Sequence, residues 1–489
     1  MRPRCPACDS DHSDRRLRDI RRGLRHGAHT TTSLNYVPGP ARDTFCDHRL
    51  AWPGNAHRGV RSMVVDRNVG GEDALTSRPL KLVTRLAMAF RDLAQTHNAA
   101  GSDVLAIPTV AAMIAVLFAG STVLTPLYIV YKQQFGFSQI TLTLIYAVYV
   151  VGNLGALLVF GSVSDVIGRR PAALAAMIVA VISAVVFLFA GNVASLDVAR
   201  ILSGLGIGVG AGTGTAWIAE LLPEAGKSRA SVIATSTNFV GLGFGALVSG
   251  LLAQFEPWPL RLVFIVYLAA LAVVTILVWR TRETVTKPGG LGKVSMRPRL
   301  SVPAQIRSRF VAPAVTGFGA MALVGFYAAV APSILAQQLH EANHAVAGAL
   351  FFELAMVAAL SIVALARMGS SKAMLAALAL MIPSAVLVVA AQMLASMALM
   401  IAATACCGVA AALGYRGGLQ VVNEIAPRDR RAEVVSSFFI CCFVGNALPV
   451  IGIGFVSTYA SAVVASLAFA AMIIAFALVA LAFGLRQRR

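Results

Sequence analysis

Five residues carry polar chemistry into stretches that are otherwise apolar: Arg200, Asn238, Glu353, Arg416 and Asn446. A charge at the centre of a bilayer costs at least about 2.5–3.5 kcal/mol, so such residues face a cavity or a partner. A buried amide likewise needs a hydrogen-bond partner, which singles out Asn238 and Asn446. Glu353 is the one carboxylate well inside an apolar run, which makes it the leading candidate to carry a proton. Arg416 falls at a similar expected depth, so the two are expected to pair or to bind solute or proton jointly. A second cluster lies outside the runs. Gly161-Ser-Val-Ser-Asp165-Val-Ile-Gly168-Arg169-Arg170-Pro171 is a tight, charged turn between two long apolar stretches. No nucleotide loop, nucleophile with its base, or metal triad appears in the apolar runs, so the sequence supports no enzyme, cofactor or metal.

The elements that must hold these residues are membrane helices. Of 489 residues, 57% are hydrophobic and 13% charged. A soluble domain would carry about twice that charged fraction. The apolar residues form runs of about twenty or more, enough to cross a hydrocarbon core of about 30 Å. They do not alternate as barrel strands would. The chain therefore reads as an all-α membrane protein with twelve spans. These are expected near 104–130, 139–162, 171–190, 195–221, 229–254, 260–280, 311–335, 345–366, 373–394, 397–423, 431–456 and 460–484. Four of the seven cysteines (Cys406, Cys407, Cys441, Cys442) lie inside spans, where Cys acts as a small hydrophobe.

Residues 1–102 are a polar, basic N-terminal segment expected to be disordered. Cys5, Cys8, Cys46 and His48 offer four zinc-type donors there, but the single residue between the last two is poor zinc-site spacing. Residues 78–98 could form an amphipathic surface helix. A six-helix half is expected over 103–281, a basic linker over 282–309 and a second half over 310–489. The formal charge of +19 follows this layout and does not call for nucleic acid. Arg169, Arg170, Arg229, Arg367, Lys372, Arg428, Arg431, the linker and the tail all fall on one side of an even-numbered bundle. By the excess of Lys and Arg in cytoplasmic loops, both termini are expected in the cytoplasm of a multi-pass cell-membrane protein.

The two halves repeat. Glu220-Leu-Leu-Pro223, Arg229-Ala230 and Phe239-Val240-Gly241 recur as Glu424-Ile-Ala-Pro427, Arg431-Ala432 and Phe443-Val444-Gly445. Gly204, Gly210 and Gly214 fall opposite Gly408, Gly414 and Gly418. The repeat gives Glu220 and Glu424 matching positions at helix ends, each expected to pair with the Arg of its neighbouring loop.

The charged turn, with Gly161, Asp165, Gly168, Arg169 and Arg170, resembles the loop signature of the major facilitator superfamily of secondary transporters. Leu196-x-x-x-Arg200-x-x-Ser203-Gly204-x-Gly206-x-Gly208 looks like that family's fourth-helix motif. Gly204, Gly206 and Gly208 would let a neighbouring helix approach closely. Thr125-Pro126-Leu127-Tyr128 followed by Phe135-Gly136-Phe137-Ser138 is similar to first-span sequences of drug-efflux-like members. Arg282-Glu283-Thr284 resembles a Pro-Glu-Thr ending without its Pro. Arg367-Met-Gly-Ser-Ser-Lys372 stands where a second copy of the loop signature belongs, but it has lost the Asp. The fifth span lacks the Gly-Pro pair of dedicated antiporters.

The resemblance implies two pseudo-symmetric six-helix halves and alternating access, in a monomer that needs no cofactor. It implies export of a small organic solute against protons, with proton-coupled uptake or a transporter-like sensor as alternatives. It also implies roles in binding or coupling for Arg200, and for Glu353 and Arg416 on cavity-lining spans. The turn would gate: Arg169 and Arg170 reaching Glu220 or lipid phosphate, and Asp165 facing the start of the eleventh span near Arg431, would latch the cytoplasmic side in the outward-open state and release it in the inward-open one.

Overall fold

The structure, a computed structural model, describes residues 105–161, 163–223, 226–285 and 300–486. Among these residues every regular element is a helix. Twelve of the helices are long and apolar enough to cross a membrane. They are α1 (Leu105–Phe135), α2 (Gln139–Phe160), α3 (Arg169–Leu188), α4 (Val193–Leu221), α5 (Arg229–Phe255) and α6 (Pro259–Arg280), then α7 (Ala304–Ala329), α8 (His344–Ala364), α9 (Ser370–Met393), α10 (Met397–Ile425), α11 (Arg431–Tyr459) and α12 (Ala462–Gly484). All twelve fall where the apolar runs predict them, although α7 starts seven residues early and breaks at Val330 before a short helix, Ala331–Gln338. The candidate zinc residues, the stretch 78–98 and residues 286–299 of the linker lie outside the described residues.

Polar side chains start several spans where the chain re-enters the apolar layer. Ser138 caps α2 by accepting from the Thr141 N–H. Asn192 and Ser195 form a reciprocal capping box on α4. Asn343 and Ser396 cap α8 and α10. Each such cap satisfies an otherwise unpaired N–H and is worth about 1 kcal/mol.

The helices pack in the same pattern twice. α4 packs between α2 and α3, and α3 also meets α6; α10 packs between α8 and α9, and α9 also meets α12. Adding six to each number of the first half gives the second. Close approach within the first half depends on small residues. A Cβ at Gly204 would strike the Tyr149 carbonyl on α2, and one at Gly208 would strike Ala156 and Asn153. Gly206 faces the Ala176 carbonyl on α3. The two halves meet along α2–α11 and α5–α8, which are symmetry mates in this numbering.

Candidate functional site

A cavity lies between the halves. Its walls come from both halves and are largely aromatic: Phe118, Tyr146, Tyr149, Phe239, Phe351, Tyr415, Phe439 and Phe443 among them. A second, larger chamber shares Asn153, Asn238, Tyr415 and Phe443 with it. That chamber runs past Thr215, Ala216 and Ala219 on α4 and Ala234 on α5, toward the face that carries the charged loops. On the opposite face the halves touch. Gly454 of α11 packs on Thr143 of α2, and Gly348 of α8 packs on Ala246 and Gly250 of α5. The Gln254 side chain closes the same end by accepting from the His344 N–H at 3.0 Å. The space is therefore open on the charged-loop face and blind on the other.

Arg200 sits at the blind end, with 0% of its surface exposed. Its position begins with Pro126. Pro126 lacks an N–H, and residues 123–127 leave the α-helix for a run of turns. The Thr125 N–H bonds the Thr122 carbonyl instead of that of Ser121. The Ser121 carbonyl is thereby free, and Arg200 Nη1 donates to it at 2.8 Å. Nη2 donates to the Tyr128 hydroxyl, which stands at the end of the same break. The guanidinium carbon lies 5.5, 5.7 and 5.6 Å from the ring centres of Tyr128, Tyr146 and Tyr149. Each such ring contributes about 0.5–2 kcal/mol of cation–π attraction. Arg200 Nε has no partner. Asp197, one turn earlier, is a half-buried residue that forms no described ion pair with it.

The same tyrosines cross the seam. Tyr146 and Tyr149 both donate to Asn446 Oδ1 of α11, at 2.6 and 3.0 Å. Asn446 Nδ2 lies 3.4 Å from the Met321 carbonyl. Asn238 also faces the cavity, and its Oδ1 is buried without a partner. Both amides line the cavity, and the partners expected of them are found at Asn446 but not at Asn238 Oδ1. Tyr146 and Tyr149 thereby join Arg200 to Asn446.

The charged turn builds a compact cluster at the open face. Arg169, with its side chain 8% exposed, donates through Nη2 to Glu220 Oε1 at 2.6 Å and through Nη1 to Ser164 at 2.7 Å. Its Nη1 also pairs with Asp165 at 2.5 Å. Thr284 donates to Glu220 as well. Glu283 accepts the backbone N–H groups of Arg169 and Arg170, both at 2.9 Å, and so caps α3. Negative charge at a helix N-terminus is favoured by the helix dipole. Gly168 is the N-cap at φ 105°, and a Cβ there would strike Glu283. Gly161 closes α2. Arg169 therefore reaches Glu220 as expected. Asp165 is held by Arg169 in its own loop, and no described ion pair joins it to Arg431, the exposed first residue of α11. Glu283 and Thr284 were visible only as part of a family-like ending; nothing local marks Glu283 as the cap of a helix more than a hundred residues earlier.

The second half carries a weaker copy. Gly369 is the N-cap of α9, as Gly168 is of α3. Ser370 then stands in the place of Arg169 and donates to Glu424 at 2.9 Å. Glu424 is exposed and forms no described ion pair, so the expected bond to Arg431 is absent.

The Glu353–Arg416 pair is also not formed. Arg416, 5% exposed, donates from Nη1 to the Leu365 carbonyl at 2.6 Å and from Nη2 to the Ala366 carbonyl. It thus caps the C-terminal end of α8. Both spans run the same way through the layer, and Arg416 lies about ten residues deeper along its helix than Glu353 does along α8. At 1.5 Å per residue that is on the order of 15 Å. Glu353 also points elsewhere. Phe351 faces the cavity, whereas Glu353 shares its helix side with the exposed Ala349 and Leu360. It lines neither chamber and makes no described hydrogen bond or ion pair.

Comparisons with known proteins agree with this architecture. The family model described as Major Facilitator Superfamily matches residues 110–449. The uncharacterized MFS-type transporter YybF of Bacillus subtilis (strain 168) is 27% identical over 143 residues, 29% of this chain. That match spans only 35% of the relative's length. A crystal structure of a bacterial homolog to the human lysosomal transporter Spinster, in an inward-facing and unoccupied conformation, superposes with a TM-score of 0.60. The alignment covers 79% of this chain and 98% of that one at 16% identity, a likeness of fold alone.

Proposed function

The chain belongs to the Major Facilitator Superfamily of membrane transporters, and we propose from this that it moves a small organic solute by alternating access, coupled to protons. The observation that carries the reading is the cavity between the halves, open at the charged-loop face and blind at the other. With the charged loops in the cytoplasm, as the Lys and Arg excess argues, this is the inward-open state of a monomer in the cell membrane. Both termini then lie in the cytoplasm. The N-terminal segment bears on neither solute nor gate in this reading, whereas the linker reaches the gate through Glu283. Gating belongs to Asp165, Arg169, Glu220 and Glu283, whose bonds here lie within one half. In the opposite state Asp165 is released toward α11 as the charged-loop ends close.

Two directions of transport follow from different observations. Export against protons is the direction that the drug-efflux-like first span supports. Proton-coupled uptake is favoured by the cavity walls. Exchange by competition needs a protonatable group where the solute binds, and no carboxylate lines either chamber. The test is reconstitution into vesicles with an imposed pH gradient of either sign, reading flux for a panel of organic solutes. Gradient-driven accumulation identifies a transporter, and its sign assigns the direction. No flux above protein-free vesicles for any solute would sink the transport reading.

A further inference from the structure

We infer that the cavity selects an aromatic anion and rejects cations. The inference rests on the cavity being the solute site, and three observations carry it.

The first is the charge of the walls. Neither chamber is lined by a charged side chain, so a cationic solute would lose its water without meeting a carboxylate. Glu353, the one candidate counter-charge from the second half, turns away toward the exposed side of α8.

The second is Arg200. A fully buried guanidinium normally has a carboxylate partner. Here no described ion pair includes it; its bonds go to a carbonyl and a hydroxyl, and Nε has no partner. Tyrosine faces attract the cation but do not neutralise it. The excess positive charge stands directly behind Ser121, Tyr146 and Tyr149, which form the cavity wall. In a medium that screens poorly, its field reaches a solute in the cavity. At the mouth, the loops that open α5 and α11 expose Arg229 and Arg428, which draw anions inward, while Arg430 there is paired with Asp429 at 3.9 Å.

The third is the lining itself. Phe118, Phe239, Phe351 and Phe439 stand among the lining rings of both halves, a surface that stacks on a planar ring.

The test uses three probes of one shape and different charge: 2-naphthoate, 2-naphthamide and 2-naphthylmethylammonium. Binding of each to the full chain in lipid nanodiscs is measured by equilibrium dialysis at neutral pH. The expected result is naphthoate at least tenfold tighter than the ammonium, with the amide between them, and loss of this ranking in Arg200→Gln. Arg200→Lys keeps the order, because the charge remains. The wild-type ranking decides the matter if Arg200→Gln does not fold. Equal or tighter binding of the ammonium overturns the inference, and so does failure of all three to bind at millimolar concentration. Naphthoate binding without flux in vesicles leaves the anion site standing and counts against the transport reading alone. Flux of the ammonium in preference to naphthoate does the reverse.

Discussion

Tyr146 of the first half donates its hydroxyl to Asn446 of the second at 2.6 Å, while its ring faces the buried Arg200 guanidinium. One side chain therefore touches both the charge at the blind end and the seam that must open. A hydrogen bond of this kind contributes about 0.5–1.5 kcal/mol net, or about two- to tenfold in a two-state balance. Tyr146→Phe keeps the ring and removes the bond. It should raise the labelling rate of a cysteine placed at Thr143, on the closed face, by that factor. The double variant with Asn446→Ala should show less than the sum of the two single effects. Unchanged labelling would mean the bond does not hold the seam.

Gly168 is required on two grounds, a φ of 105° and the carboxylate of Glu283 against its Cα. Gly168→Ala should lower stability by about 1–3 kcal/mol, read as a drop in thermal unfolding temperature in detergent. Glu283→Gln should cost less, about 0.3–1 kcal/mol, since the amide oxygen still accepts one N–H but the charge on the helix end is gone. An alanine variant as stable as the native chain would show that the turn adapts.

Arg416 holds two backbone carbonyls at the end of α8 and no carboxylate. Its role is then structural. Arg416→Ala leaves buried acceptors unpaired, at about 1–3 kcal/mol, while Arg416→Lys should recover part of that loss. The pH dependence of transport should be the same in Arg416→Lys as in the native chain. A shifted pH profile at full stability would return Arg416 to the coupling machinery.

Glu353 lies at mid-span on the exposed side of α8, without a described partner. Glu353→Gln should keep flux driven by a pH gradient within about twofold. It should also stabilise the fold slightly, since a charge at this depth costs at least about 2.5–3.5 kcal/mol or must be neutralised. Loss of gradient-driven flux, with solute exchange intact, would make Glu353 the proton carrier after all.

The sequence by itself determined the twelve spans, the charged turn and the short set of polar residues inside the membrane. The reason is that the bilayer forces every backbone bond to be made within its own helix, so length and apolarity identify spans locally. It also revealed the duplicated halves, since Glu220 and Glu424 sit in matching frames. What only the tertiary structure decided is which way each polar residue points. Tyr128 lies 72 positions from Arg200, and Tyr146 lies 300 from Asn446. The rotation of one helix against another is set by packing across the whole bundle, not by any window of sequence. Glu353 and Arg416 miss each other twice over, by about ten residues of depth along helices that run the same way and by the direction in which Glu353 points. The same packing is why Glu283 closes a helix that begins more than a hundred residues before it.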